Sequence, residues 1–327
     1  MHAASIKARI VTLALTLAAA CGLAGAQDYP AKSISIVVPY SAGGSTDVSA
    51  RTLAAEMSRS LGVAVLVENK PGAGGFIAAT QVAKAPRDGY VLLFSNGTIT
   101  ATNPSLYRNL PYKVSDLAAI SAVSKQAYVL NGNVALPVAT VAELVAWAKT
   151  KPEGVTIGCV GTGTQTHIVA EWLGRALGIK VTPVQYKGTA QSSIDLVGGR
   201  LDFTLDGFST SMPLHNAGKV RIVASLGQER PAIMPASVQT FHEAGFPALF
   251  SYAEVGLMAP AGTPAAAISK LHAATVAALK TPAIVEAMQA RGEVPTPSAS
   301  PEEYAAFIRS ETARWAAIIK PMNVQLD

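Results

Sequence analysis

Two short stretches, SAGGSTD (residues 41–47) and GTGTQTH (residues 161–167), place glycines beside hydroxyl side chains just ahead of helix-forming runs. The first N–H groups of a helix lack intrahelical partners, and the helix dipole adds partial positive charge there. Glycines let the preceding backbone turn so that several N–H groups converge on one anion. Ser41, Ser45 and Thr46 add hydroxyl donors in the first stretch, and Thr162, Thr164 and Thr166 do so in the second. Neither stretch contains Lys or Arg, which favours a small carboxylate held by neutral donors over a polyphosphate. Each loop alone fits an ordinary strand-to-helix connection equally well, with Asp47 capping its helix. Two loops of the same type in one chain move the balance towards ligand binding.

Other chemistry-bearing patterns are absent or incomplete. The P-loop pattern GxxxxGK[ST] does not occur, and the run from Gly161 has Thr166 where a dinucleotide fingerprint needs its third glycine. There is no GxSxG elbow and no HExxH. His167, His215, His242 and His272 are far apart and lack metal-ligand spacing. His167, beside the second hydroxyl-rich loop, reads as a hydrogen-bond donor or helix cap. Its alternative is a base paired with a hydroxyl in a secreted enzyme acting on a carboxylate. Secondary candidates sit at other predicted strand ends: Asn96 and Thr98 in SNGT, Tyr186 and Gly188 in YKG, and Asp202 and Asp206 in GGRLDFTLDG. Such ends are where open α/β sheets place ligands.

The elements that would position these residues alternate short β-branched segments with helical patterns, the mark of α/β layering. Ile34–Val38, 63–67, 90–97, 127–133, 155–160, 180–184 and 220–226 read as strands. Ala50, Leu53, Ala54, Met57 and Leu61 fall on one helix face, and Val169, Trp172, Leu173, Ala176 and Leu177 on another. NKPGAGG (69–75) predicts a second glycine-rich turn. Thr140 with Glu143, and Ser300 with Pro301 and Glu303, are helix-start signatures, and the last eighty residues read as mostly helix. The plan of strand, hydroxyl-rich loop and helix occurs at 34–61 and again at 155–177, which suggests two similar lobes.

At 327 residues the chain is long enough for two such units. Lys7 and Arg9 precede an apolar run from Ile10 to Ala20, and Ala24-Gly25-Ala26 supplies a small-residue cleavage pattern. Residues 1–26 therefore read as an export signal, with lipoprotein processing at Cys21 as the rival. Cleavage removes Lys7 and Arg9 and no acid, lowering the formal charge from +5 to +3. That mild charge, without basic runs interleaved with aromatics, argues against nucleic acid as a partner. Cys159 would remain as the single thiol, a small core residue at a buried strand end, so an exported chain must hold together without an internal disulfide.

The motifs YPAKSISIVVPYSAGGSTDVSAR, VENKPGAGGFIAA, PRDGYVLLF, NPSLYRNLPY, GTGTQTH, YKG with LVGGRLD, and GLMAPAGTP follow one another in order. This series resembles the Bug-type extracytoplasmic receptors of tripartite tricarboxylate transporters across essentially the whole mature chain. The resemblance implies a type II periplasmic-binding-protein fold: two α/β lobes joined by crossover strands, with a ligand cleft between them. Residues 27–127 with 252–327 would form one lobe and 128–251 the other. It implies a periplasmic monomer that binds a small carboxylate, needs no cofactor and hands its ligand to membrane permease subunits; a receptor feeding a sensor kinase is the alternative. Carried over, the first loop maps to Tyr40, Ser41, Ala42, Gly43, Gly44, Thr46 and Asp47. The second maps to Thr162, Gly163, Thr164 and His167, joined by Asn96, Thr98, Tyr186, Gly188 and Asp206. Two departures stand out: LPYK replaces the more usual LPYD, and Glu254 stands where many relatives carry an aromatic residue, often Trp.

Overall fold

A computed structural model describes residues 29–230 and 233–326. The predicted export signal and Cys21 lie outside the described residues. Strand β1 (Ile34–Val38) is a β-branched run whose side chains are almost wholly buried, as a central parallel strand requires. Pro39 and Gly43 (φ +85°) break it, and helix α1 (Ser45–Leu61) follows, with Ala50, Leu53, Ala54 and Met57 on its buried face. Gly62, at φ +68°, stops α1 by adopting the left-handed conformation of a helix C-terminus. Strand β2 (Val65–Asn69) starts two residues later than the sequence pattern indicates. Helix α2 (Phe76–Ala83) and strand β3 (Val91–Asn96) complete this parallel unit, in which β1 lies between β2 and β3.

Beyond β3 a π-helical turn (Thr98–Thr102) runs into α3 (Asn103–Leu106). Strand β4 (Leu117–Asn133) is seventeen residues long, against the seven anticipated at 127–133. Its pattern of small and polar residues at 117–126 hides a strand that is fixed by tertiary pairing. The stretch from Leu117 to Ala127 pairs antiparallel with β10 (Tyr252–Pro260), and the stretch from Tyr128 onwards pairs with β7 (Phe203–Gly207) and β8 (Val220–Ser225). β4 is thus the strand that carries the chain from one lobe to the other.

The second lobe repeats the plan of the first. Helix α4 (Val141–Ala148) opens on the predicted Thr140–Glu143 capping box, followed by β5 (Val155–Cys159) and α5 (Gln165–Leu177). Strand β6 (Val181–Gln185), α6 (Thr189–Val197), β7, α7 (Phe208–Asn216) and β8 follow, and β5 lies between β6 and β7. On α5 the buried residues include Val169, Leu173 and Leu177, whereas Ala176 faces solvent. After the short β9 (Gln239–Thr240) the chain returns through β10, which is inserted antiparallel between β3 and β4. Helices α8 (Ala265–Lys280) and α9 (Pro282–Gln289), the short β11 (Val294–Pro295) and α10 (Pro301–Ile319) end it. Trp315, Ile319 and Met322 lie in the same buried cluster as Ile157, Val169 and Leu173, so the end of α10 packs on the second lobe. No helix among the described residues is long and apolar enough to cross a membrane.

Candidate functional site

Helix α1 begins without a side-chain cap, because its N-cap is Gly44. Its first N–H groups, on Ser45, Thr46 and Asp47, have no protein acceptor among the described residues. The loop that presents them is locked from behind. The Asp47 carboxylate accepts the Gly43 N–H at 2.9 Å, Asn69 Nδ2 at 2.9 Å and Arg51 Nε at 3.0 Å. Asn69 Nδ2 also donates to the Tyr40 carbonyl at 3.0 Å. Although burial raises it, these donors hold the Asp47 pKa below the usual carboxylate value. Asp47 therefore positions the loop and turns its charge away from the cleft.

Tyr40 ties this loop to the end of β3. Its hydroxyl donates to Thr98 Oγ1 at 3.2 Å and accepts from Asn96 Nδ2 at 2.7 Å. The π-helical turn that starts at Thr98 is buried throughout and faces the second lobe. There Thr98 Oγ1 accepts the Gln165 N–H at 3.1 Å, and Thr102 Oγ1 donates to the Gly163 carbonyl at 3.1 Å.

The second loop folds on its own hydroxyls. Gly161 and Gly163 have φ of +107° and +79°, the left-handed region that glycine reaches without strain. Thr164, the N-cap of α5, donates to the Gly161 carbonyl at 2.8 Å and accepts the His167 N–H at 3.4 Å. Thr166 Oγ1 accepts the Val160 N–H at 3.0 Å. His167 Nδ1 accepts the Gly163 N–H at 3.1 Å, and burial lowers the ring's pKa, so His167 is a neutral loop brace. Because Thr98 engages the Gln165 N–H and Thr164 engages that of His167, the start of α5 offers fewer free donors than the start of α1. The two loops are alike in plan and unlike in what they leave open.

Where they meet there is a narrow pocket with about 20 Å³ of water-accessible space. The first lobe contributes Tyr40, Ser41, Gly44, Ser45 and Thr46 to its walls, and the second contributes Val160, Thr166, Thr189 and Asp206, with Tyr128 of β4 between them. Thr162 and Tyr186 line a neighbouring groove with Gly161 and Lys187. The Tyr186 hydroxyl is engaged within its own lobe by Asp195, to which it donates at 2.7 Å. Gly188 faces the other lobe: a Cβ there would lie 3.1 Å from that of Ser41. Ala42 and Gly43 are exposed, outside the pocket. Of the residues singled out from sequence, Tyr40, Ser41, Gly44, Thr46 and Asp206 meet in the pocket wall. Asn96, Thr98, Gly163, Thr164, His167 and Asp47 support it from behind. Tyr128 and Thr189 carry no local sequence signal for this site.

Among the described residues, no lysine, arginine or histidine lines the pocket. Its one acid, Asp206, is almost fully buried. Asp206 Oδ1 accepts from the Gly207 N–H at 2.7 Å and Ser45 Oγ at 3.4 Å, and Oδ2 accepts from Thr210 Oγ1 at 2.6 Å. Burial outweighs these donors and pushes its pKa up to about 6. Tyr40 and Tyr128 are raised by burial and stay neutral near pH 7. Hydroxyls and backbone N–H groups are thus the anion-binding chemistry on offer. Among the described residues, no group of three or more His, Cys, Asp or Glu is placed to hold a metal ion.

The family described as "Tripartite tricarboxylate transporter family receptor" matches residues 49–324 of the chain. Protein BugT of Bordetella pertussis is 35% identical over 303 residues, covering 92% of each chain. The solved periplasmic binding protein BugD superposes with a TM-score of 0.87 at 32% identity, over 91% of this chain and 99% of that one. Rpa4515 of R. palustris, solved with adipate, gives a TM-score of 0.86 at 31% identity, over 90% and 98% respectively.

Proposed function

The chain belongs to the tripartite tricarboxylate transporter receptors, and on that premise we propose that it is a periplasmic solute-binding protein that captures a small mono- or dicarboxylate for membrane permease subunits. The observation that carries this reading is the pocket between the lobes, where the uncapped start of α1 and hydroxyls from both lobes converge without a lysine or arginine. A carboxylate there would accept N–H groups from the first turn of α1 and the hydroxyl of Thr46, with the hydroxyls of Ser41, Thr166 and Thr189 able to reorient towards it from their present partners. Adipate in Rpa4515 is the kind of ligand this predicts. Contacts from both lobes favour the closed arrangement, since a ligand shifts a conformational equilibrium only by its differential affinity. The protein acts by binding, without turnover, and as a monomer.

The test is native mass spectrometry of the purified protein for copurified ligand, followed by a thermal-shift screen of mono- and dicarboxylates. A ligand at a hundred times its Kd stabilises the fold by about 2.7 kcal/mol, enough for a clear shift. Chemical change of the tightest ligand on incubation would replace this reading with an enzymatic one.

A further inference from the structure

A second cavity, separate from the carboxylate pocket, lies beside the crossover strands with a volume of about 300 Å³. Glu254 of β10 sits opposite Lys125 of β4 at its wall, and Tyr304, Phe307 and Ile308 of α10 line its apolar side. The Tyr304 and Phe307 rings stack at 6.4 Å with 16° between their planes. None of its lining residues is shared with the carboxylate pocket, although Asn96, the partner of Tyr40, reaches its edge.

Among the described residues, three acids and one lysine line this cavity, and two of the acids are already engaged. Glu303 accepts the Ala299 N–H, and Glu311 forms an ion pair with Arg314 at 2.7 Å. Glu254 has no hydrogen-bond or ion-pair partner among the described residues. Lys125, although opposite it, holds its ammonium over the Tyr252 ring, 5.4 Å from the centroid. The Tyr304 hydroxyl likewise has no hydrogen-bond partner among the described residues, and the residue is only 4% exposed. Burial pushes the Glu254 pKa up to about 8, Glu311 adds to the rise, and Arg314 and Lys125 oppose it. A half-buried carboxyl without a donor is disfavoured in its ionised form, and a cation with N–H groups offsets part of that cost. Aromatic side chains line the same cavity.

We propose that this cavity binds a small organic ammonium ion, with its N–H groups on the Glu254 carboxylate and the Tyr304 hydroxyl and its apolar body against Phe307 and Ile308. The probe is benzylamine, with benzyl alcohol as its uncharged counterpart, measured by calorimetry and thermal shift on the protein from Gln27 onwards. Benzylamine should bind one-to-one, and benzyl alcohol at least tenfold more weakly. Glu254→Gln should lower benzylamine affinity at least tenfold. Phe307→Ala, at a half-exposed wall position, should lower it severalfold and serves if the first variant does not fold. Absence of saturable benzylamine binding would overturn the proposal, as would equal binding of the alcohol or undiminished affinity in both variants. Affinity lost in Asp206→Asn while retained in Glu254→Gln would assign the amine to the carboxylate pocket and overturn it too.

Discussion

Ser45 Oγ donates across the cleft to Asp206 Oδ1 at 3.4 Å, so the first turn of α1 and the end of β7 meet on one buried carboxyl. This contact puts a titratable group of the second lobe directly against the uncapped start of α1.

The pairing makes ligand affinity pH-dependent. A bound carboxylate beside an ionised Asp206 is repelled, and no lysine or arginine in the pocket wall compensates. With Asp206 at about 6, affinity for the tightest dicarboxylate should fall as pH rises from 5 to 8, by at most about tenfold per unit above 6. Asp206→Asn should flatten the profile, with the amide nitrogen donating to Thr210 Oγ1. The folded-state value lies above the ordinary 3.8, so the group's contribution to stability is full below about pH 4 and lost as pH rises through 6. The variant should therefore gain stability over wild type at pH 8 relative to pH 4, by up to about 3 kcal/mol. Calorimetric titrations and denaturant melts across this range read both effects, and a flat wild-type binding profile would refute the first.

Asp47 should behave in the opposite sense. Asp47→Ala strips acceptors from the Gly43 N–H and from Asn69, and losing such half-solvated hydrogen bonds costs about 0.5–1.5 kcal/mol each. Because the folded-state pKa is depressed, wild-type Asp47 stabilises the protein above the ordinary carboxylate value, and that contribution is lost as pH falls through the depressed one. Urea denaturation should show a large deficit for the variant at pH 7 and a smaller one at pH 3. An equal deficit at both would mean that the charge is irrelevant to the lock.

The contrast between these two aspartates marks how far the sequence could be read. Both lie near hydroxyl-rich strand ends, and the family resemblance placed both at the ligand site, although residue type alone also fitted Asp47 as a helix cap. Only the spatial arrival of Asn69 from β2 and Arg51 from the next helical turn commits Asp47 to the scaffold. Strand β1, the two glycine loops and the caps at Thr140 and Ser300 were legible because their signals are local: a β-branched run, a turn residue, a side chain that reaches three residues on. Tyr128 and Thr189 were not, since they come to the pocket through the crossover of β4 and the packing of α6. The first ten residues of β4 were missed for a related reason. Their strand character comes from antiparallel pairing with β10, a segment more than 120 residues away.

Cys159 should be chemically silent in the native protein. Its side chain is fully buried, with the thiol 3.4 Å from the Ile157 carbonyl and 3.5 Å from that of Thr166. Burial, with Glu171 adding to it, raises the thiol well above its ordinary value, so the reactive thiolate is scarce. A colorimetric disulfide reagent should leave the protein from Gln27 onwards unlabelled at pH 8 and modify one thiol per chain in denaturant. Rapid labelling of the folded protein would show that the β5–α5 junction opens.

Closure itself can be tested at glycines whose neighbours lie across the cleft. A Cβ on Gly97 would fall 2.4 Å from Gln165 Nε2 and 2.8 Å from its Cδ, with that side chain almost completely buried. Gly97 has φ −61°, so alanine is unstrained there, and the conflict exists only while the lobes are together. Gly163 differs. Its φ is +79° and its Cβ would lie 2.6 Å from the Tyr107 hydroxyl of the first lobe, so alanine adds backbone strain of about 1 kcal/mol to the closure conflict. Gly97→Ala should therefore keep the ligand-free unfolding midpoint and lose at least tenfold in carboxylate affinity. Gly163→Ala should lose affinity and melt at a lower temperature without ligand. Small-angle scattering should show the Gly97→Ala protein failing to contract at ligand concentrations that contract the wild type. Wild-type affinity in Gly97→Ala would mean that binding does not require the close approach of α5 to the β3 end, and the two-lobe capture mechanism would fail with it.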